Sequence, residues 1–397
     1  MPELQDLYHR LEILRELGRR LTGRREEFVR AAGEDIGTPC RAAGIEVDLA
    51  GEHLATMDLE APLVAGKAPY GTVAAIFPYD AAPVMLARVG GAAILGGSRF
   101  RFSCSSQTPR TAQLLQEIVA PLPGFEPMVG QDNRSFGQNC VSDPEVRVLF
   151  ISGGHEVGAI YARQIAHFDK IFFAGPSGLP PVILFADAPL DTAAAFVVRR
   201  AFLNSGQYCT CPKRVYIHEN IYEPVRQKIL QMMPEIRVGD PADPATWIGP
   251  IKVARTRALI DRALEILVAP HYLLPPRREG EWQGPFLVEV ADPPEVELFG
   301  PFLALVRAAA DAEALDRVLM TRYPFSVVFF GTPPPGAKDK LTATFGMVYD
   351  NPDFLFTPLR LPFGGRKRSG WILERGQGRL HRRDGAFSYT KELVRAD

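Results

Sequence analysis

Apolar residues recur with helical spacing at Leu4, Leu7, Leu11, Leu14 and Leu17, which predicts a helical stretch from about Leu4 to Ala31. The pattern breaks at "GEDIGTPC". From Gly71 onward, short apolar runs alternate with helical stretches: "GTVAAIF" reads as a buried strand and "APVMLARVGGAAIL" as a helix. "SRFRFS" alternates strictly, as a strand should, and "QTPRTAQLLQEIV" opens like a helix, with Thr108 at the cap and Pro109 at the first helical position. "VRVLFIS", "HEVGAIYARQIA" and "KIFFA" then give strand, helix and strand. A second series follows: "PVILFA", "LDTAAAFVVRRAFLN", "KRVYIHE" and "IYEPVRQKILQMM", then the helix "ARTRALIDRALEIL". "FLALVRA", "AEALDRVLM" and "FSVVFFG" complete it. The proline- and charge-rich stretch "PHYLLPPRREGEWQG" between them reads as an exposed loop. Strand–helix–strand units at this spacing imply parallel pairing with right-handed crossovers, so the fold class is α/β with a Rossmann-like sheet.

Composition narrows the picture. A chain of 397 residues can bury a large core and is expected to form two domains. Its 46 acidic and 45 basic residues nearly cancel and no basic run stands out, which argues against nucleic acid as a partner. No apolar run has the length of a membrane span, and the charged N-terminal helix does not read as a secretory signal. Five cysteines without a disulfide-like framework fit a reducing cytoplasm, and none has zinc spacing with histidine. The 35 prolines, against an average usage of about 5%, point to short stiff loops.

Two segments carry candidate chemistry. "ISGGHEVG" places Gly153, Gly154 and Gly158 between a strand and a helix, where backbone N–H groups at a helix N-terminus can cradle a pyrophosphate. In "FLNSGQYCTC", Cys209 follows a helix in a turn. A thiol at such a position can be a nucleophile, and by residue type alone it can equally be a small buried hydrophobe. Cys211 has the same two readings.

Taken together, these segments resemble the aldehyde dehydrogenase superfamily over nearly the whole chain. "FLNSGQYCT" is similar to the F-x-N-x-G-Q-x-C nucleophile segment and "ISGGHEVG" to the G-S-T-x-x-G cofactor turn. "SSQTPRTA", "RVGDPADPATWIGPI", "EVELFGPFLAL" and "LPFGGRKRSG" resemble four further motifs in the same order. The resemblance implies NAD or NADP as cofactor, attack of the Cys209 thiolate on an aldehyde, and hydride transfer from the resulting thiohemiacetal. It implies Glu297 on the nicotinamide ribose, with Phe299 and Pro301 shaping that wall, and places Pro78 and Tyr79 beside the cofactor.

The sequence departs from the family at four positions. The catalytic Glu falls on Gly175, the oxyanion Asn on Asp80, the ribose-binding Lys on Ser103 and the Glu beside that Lys on Ser106. Asp80 is therefore a catalytic candidate as a protonated donor, and a gain of hydrolysis on restoring Glu at 175 would show that the rest of the site is competent. "AGPSGLPPVIL" is similar to a run in CoA-acylating members, which also lack that Glu, so CoA is a candidate acyl acceptor, or donor in the reverse direction. The alternative is a catalytically impaired relative with a binding or structural role. The expected organisation is a Rossmann-like cofactor domain over 1–173, an α/β catalytic domain over 174–370 and a C-terminal oligomerisation segment over 371–397, assembled as a cytoplasmic homodimer that takes a small aldehyde or acyl-thioester.

Overall fold

The computed structural model describes residues 4, 6–128, 132–175, 177–376 and 378–395. Two seven-stranded sheets organise the chain. In the first, the strands run in the order Arg379–Arg383, Trp371–Gly376, Ile171–Ala174, Val146–Ile151, Thr72–Ile76, Arg99–Ser103 and Phe125–Pro127. The five strands from Ile171–Ala174 to Phe125–Pro127 are parallel. Thr72–Ile76 and Val146–Ile151 are adjacent in space and far apart in sequence, so their carboxyl ends form the switch point where doubly wound sheets leave a crevice.

The second sheet has the order His271–Leu274, Phe286–Glu289, Phe302–Ala308, Arg214–His218, Pro181–Leu184, Ser326–Phe330 and Met347–Asp350, parallel except at its first pair. Both sheets are buried on both faces, which is why their strands read as continuous apolar runs such as the fully buried "TVAAI" and "SVVFF". No helix among the described residues is long and apolar enough to cross a membrane.

Several elements differ from the sequence reading. The N-terminal helix is two helices, Leu7–Gly23 and Arg25–Ile36, and a third, Cys40–Ala55, follows the "GEDIGTPC" break. Its small and polar residues hide the periodicity. Helix Pro109–Val119 starts where expected, but Thr108 makes no side-chain cap; its hydroxyl donates to the Ser105 carbonyl. The carboxylate of Asp35, on the second helix, accepts from the N–H groups of Arg110 and Thr111 instead. The stretch 270–284 is not an exposed loop throughout: His271–Leu274 pairs with Phe286–Glu289, and Arg278–Glu279 pairs with Trp282–Gln283. From Trp371 the chain returns to the first sheet, antiparallel to Ile171–Ala174, and Val394–Arg395 pairs with Ala68–Pro69 of the same chain.

Candidate active site

A cavity of about 630 Å³ opens at the switch point of the first sheet and reaches the second. A volume of that size suits a small-molecule or cofactor site. Pro78, Tyr79 and Asp80 enter it from the end of Thr72–Ile76, and Gly153 and Gly154 from the end of Val146–Ile151. Cys209 enters from the turn after helix Leu190–Phe202, and Glu297 and Phe299 from the loop before Phe302–Ala308. Eight residues proposed from sequence therefore share one cavity. Ser103, Gly158 and Pro301 do not line it. Ser103 is buried and its hydroxyl donates to Asn133 Oδ1 at 2.7 Å, while Gly158 packs the following helix against Ala174.

The glycine turn is shaped for an anion. Helix His155–Ile165 begins after Gly154 with no side-chain cap, so its first N–H groups are free of side-chain competition. A Cβ on Gly154 would lie 3.2 Å from Glu297 Oε2 and 3.4 Å from Arg255 Nη2, inside the space the turn leaves open. Tyr79 and Phe299 meet edge to face at 6.3 Å, and the Tyr79 hydroxyl is 3.1 Å from Thr256 Oγ1. These residues fit NAD or NADP, a pyrophosphate carrier with a planar ring and a ribose.

Around the thiol the electrostatics are unusual. Burial pushes the Cys209 thiol well above the ordinary range, and the nearby Asp80 charge adds to that. Burial also raises the Asp80 carboxyl to about 7, against its own backbone N–H, with the Glu297 charge raising it further. A carboxyl held neutral up to neutral pH is a hydrogen-bond donor; ionised, it is a base.

Two features escape sequence reasoning. Gly175 has more than lost a side chain. Its N–H lies 2.5 Å from the Ile151 carbonyl, and a Cβ there would sit 2.4 Å from both that oxygen and Ser152 Cα. Real Cβ atoms do not approach backbone that closely, so there is no room at 175 for the side chain of a base. The second feature is Arg88. It sits in a π turn, Leu86–Gly90, within the helical run after Asp80, 4% exposed and on the cavity wall. Its guanidinium lies 4.1 Å over the Phe363 ring and donates through Nε to the Leu359 carbonyl, while Nη2 has no partner among the described residues. An Arg in an apolar helical run carries no distinguishing sequence signal. By contrast, the basic run at 366–368 stands off the cavity, with Arg366 paired to Asp384 at 3.1 Å.

The aldehyde dehydrogenase family model matches residues 3–383. The chain belongs to the aldehyde dehydrogenase family. It is 30% identical over 329 residues to the succinate-semialdehyde dehydrogenase [NADP(+)] GabD of Escherichia coli (strain K12), a match covering 78% of this chain and 66% of that enzyme. A 32% match to succinate-semialdehyde dehydrogenase [NADP(+)] 2 of Schizosaccharomyces pombe covers 48% of this chain and only 39% of that protein. The 3-sulfolactaldehyde dehydrogenase of Priestia aryabhattai is 26% identical over 395 residues, covering 91% of this chain and 82% of its own. In three dimensions, the chain is similar to succinate-semialdehyde dehydrogenase from Burkholderia pseudomallei, with a TM-score of 0.85 and 23% identity over 99% of this chain and 85% of that one. That likeness shows the fold this family member shares.

Proposed function

We propose that the protein is an NAD(P)-linked dehydrogenase of a small aldehyde carrying an anionic group, acting through Cys209. The observation that carries this reading is the single cavity joining the thiol, the uncapped glycine turn and the buried Arg88 guanidinium. Succinate semialdehyde, glutarate semialdehyde and 3-sulfolactaldehyde, named for the relatives, are all aldehydes with an acid group. A desolvated guanidinium with an unused N–H is the group such an acid pairs with.

The steps assign a role to each side chain. Ionised Asp80 takes the proton of the Cys209 thiol, and the thiolate adds to the aldehyde carbon. Protonated Asp80 then donates to the developing oxyanion, the task of an oxyanion hole. A nicotinamide held there would accept the hydride, and Cys209 would carry the acyl group that remains. Asp80 releases its proton to solvent and, ionised again, takes one from the water that attacks the thioester; the departing Cys209 sulfur is reprotonated. Gly153 and Gly154 with the helix N-terminus would hold the pyrophosphate, Glu297 the ribose, and Pro78, Tyr79 and Phe299 would line the ring's place.

A second reading, CoA rather than water as acyl acceptor, is favoured by the absence of room for a base at Gly175. We place cofactor binding in residues 1–173, the thiol in 174–370 and a homodimer contact in 371–397, in a cytoplasmic enzyme. The test is NAD(P)H formation from acid-bearing and neutral aldehydes, with and without CoA, alongside Cys209→Ser. Turnover without CoA, lost in the serine variant, supports the hydrolytic reading. Turnover only with CoA moves the assignment to acyl transfer, and a folded, cofactor-binding protein with neither is the impaired relative.

A further inference from the structure

Glu46 lies on helix Cys40–Ala55, outside both sheets and off the wall of the large cavity. It is 5% exposed, a carboxyl buried where core residues are usually apolar. Both of its neighbours here lead to the site. The Tyr208 hydroxyl donates to Glu46 Oε1, and Ala81 lines the same small cavity as that carboxyl. Tyr208 immediately precedes Cys209, and Ala81 immediately follows Asp80.

The backbone between these residues is held in a costly conformation. Ala81 adopts φ 57° and ψ 35°, the left-handed region that a residue with a Cβ visits only when its surroundings impose it. Glu46 shares a small cavity with Ala81, and the preceding Asp80 side chain lines the main cavity. On the other side, the Tyr208 ring is fixed between Glu46 and the edge of Phe356, at 5.2 Å between centroids. One carboxyl thus sits beside the two segments that bear the reacting groups, although they are more than a hundred residues apart in sequence.

We infer that Glu46 is a positioning residue that sets the Asp80 carboxyl against the Cys209 thiol. This rests on the reading of Cys209 and Asp80 as the reacting pair. Burial raises the Glu46 carboxyl to about 8, with the Asp80 charge adding to it, so the group is mainly neutral at pH 7. A neutral carboxyl and a glutamine amide have the same shape and can both accept from Tyr208. An apolar side chain of similar length fills the space and accepts nothing.

The test compares Glu46→Gln, Glu46→Met and Tyr208→Phe in the full-length protein. For each, iodoacetamide alkylation of the Cys209-containing peptide is followed by mass spectrometry from pH 6 to 10, with kcat, KM and Tm measured alongside. The expected result is a kcat at least tenfold lower in the Met variant, with the KM for cofactor unchanged and the alkylation profile displaced along the pH axis. The Gln variant recovers most of both, and Tyr208→Phe falls between. A Met variant that matches wild type in kcat and alkylation overturns the inference, as does a Gln variant that falls as far as Met. If the Met variant does not fold, Tyr208→Phe decides: a wild-type alkylation profile there overturns the inference. Failure of the wild type to turn over any aldehyde overturns the reading of the reacting pair instead, while the alkylation profiles still report whether Glu46 positions the thiol.

Discussion

Ser152 Cα lies 2.4 Å from the point a Cβ on Gly175 would occupy, so the ends of two neighbouring strands close over the place where a base would stand. Gly175→Glu is therefore expected to lose stability without gaining hydrolysis. Even Gly175→Ala meets the same backbone. Thermal unfolding and NAD(P)H formation of both variants check this; a folded Glu variant with faster CoA-independent turnover would show that the strand ends can part.

Arg88→Met keeps a long apolar stem and removes the charge. A hydrogen bond to a charged group contributes about 1.5–3 kcal/mol. KM for an acid-bearing aldehyde is thus expected to rise by about 10- to 100-fold, at 1.4 kcal/mol per tenfold. KM for a neutral aldehyde of equal length should change little. Equal rises for both substrates would assign Arg88 to packing against Phe363.

Asp80→Asn removes a negative charge that raises the Cys209 thiol. Alkylation of Cys209 at pH 8 to 9 is expected to be faster in the variant. Turnover is expected to fall, because an amide donates to an oxyanion but takes no proton. The wild-type kcat should carry an inflection near pH 7, where Asp80 titrates, and Asp80→Asn should lose it.

Stability should depend on pH in a direction set by two buried acids. Asp80 at about 7 and Glu46 at about 8 both lie above their ordinary values of 3.8 and 4.5. The folded chain therefore holds more protons than the unfolded one between pH 4 and 8. Their contribution is complete at acid pH and is lost as pH rises through that window. The Tm of Glu46→Gln relative to wild type is expected to increase from pH 5 to 8.5. A constant difference would mean that Glu46 titrates normally.

Lys213 joins the nucleophile turn to the Glu297 loop. Its buried ammonium donates to the carbonyls of Gly206 at 2.7 Å and Gly300 at 2.6 Å. Lys213→Met removes two charge-assisted hydrogen bonds and is expected to cost about 3 kcal/mol in denaturant unfolding. The affinity for NAD(P)H, followed by fluorescence, should weaken with it, because Glu297 and Gly300 share that loop. Unchanged affinity in a destabilised variant would limit Lys213 to the core.

Much of this was legible before any coordinates. Continuous apolar runs announce strands buried on both faces, as in "GTVAAIF" and "FSVVFFG", and the Gly-rich turn and cysteine segment mark the ends of elements, where sites form. Legibility failed where the signal is not periodic. Helix Cys40–Ala55 is rich in alanine, glycine and charge, so it shows no clean apolar stripe, and its Glu46 reads as a surface acid. Strand His271–Leu274 lies at a sheet edge among prolines and charges. Thr108 has the residue type of a cap, but Asp35 does the capping from another helix.

The sequence by itself determined the α/β class and the positions of most strands, because local periodicity and turn chemistry act over a few neighbours, and its family motifs pointed to the residues that converge at the switch point. Only the tertiary structure decided what those residues can do. Protonation of Asp80 depends on how completely it is desolvated, and the space at Gly175 on how closely two strand ends approach. The unused N–H of Arg88 and the bond of Tyr208 to Glu46 depend on partners tens to hundreds of residues away. Those are properties of packing between distant segments, to which local pattern is blind.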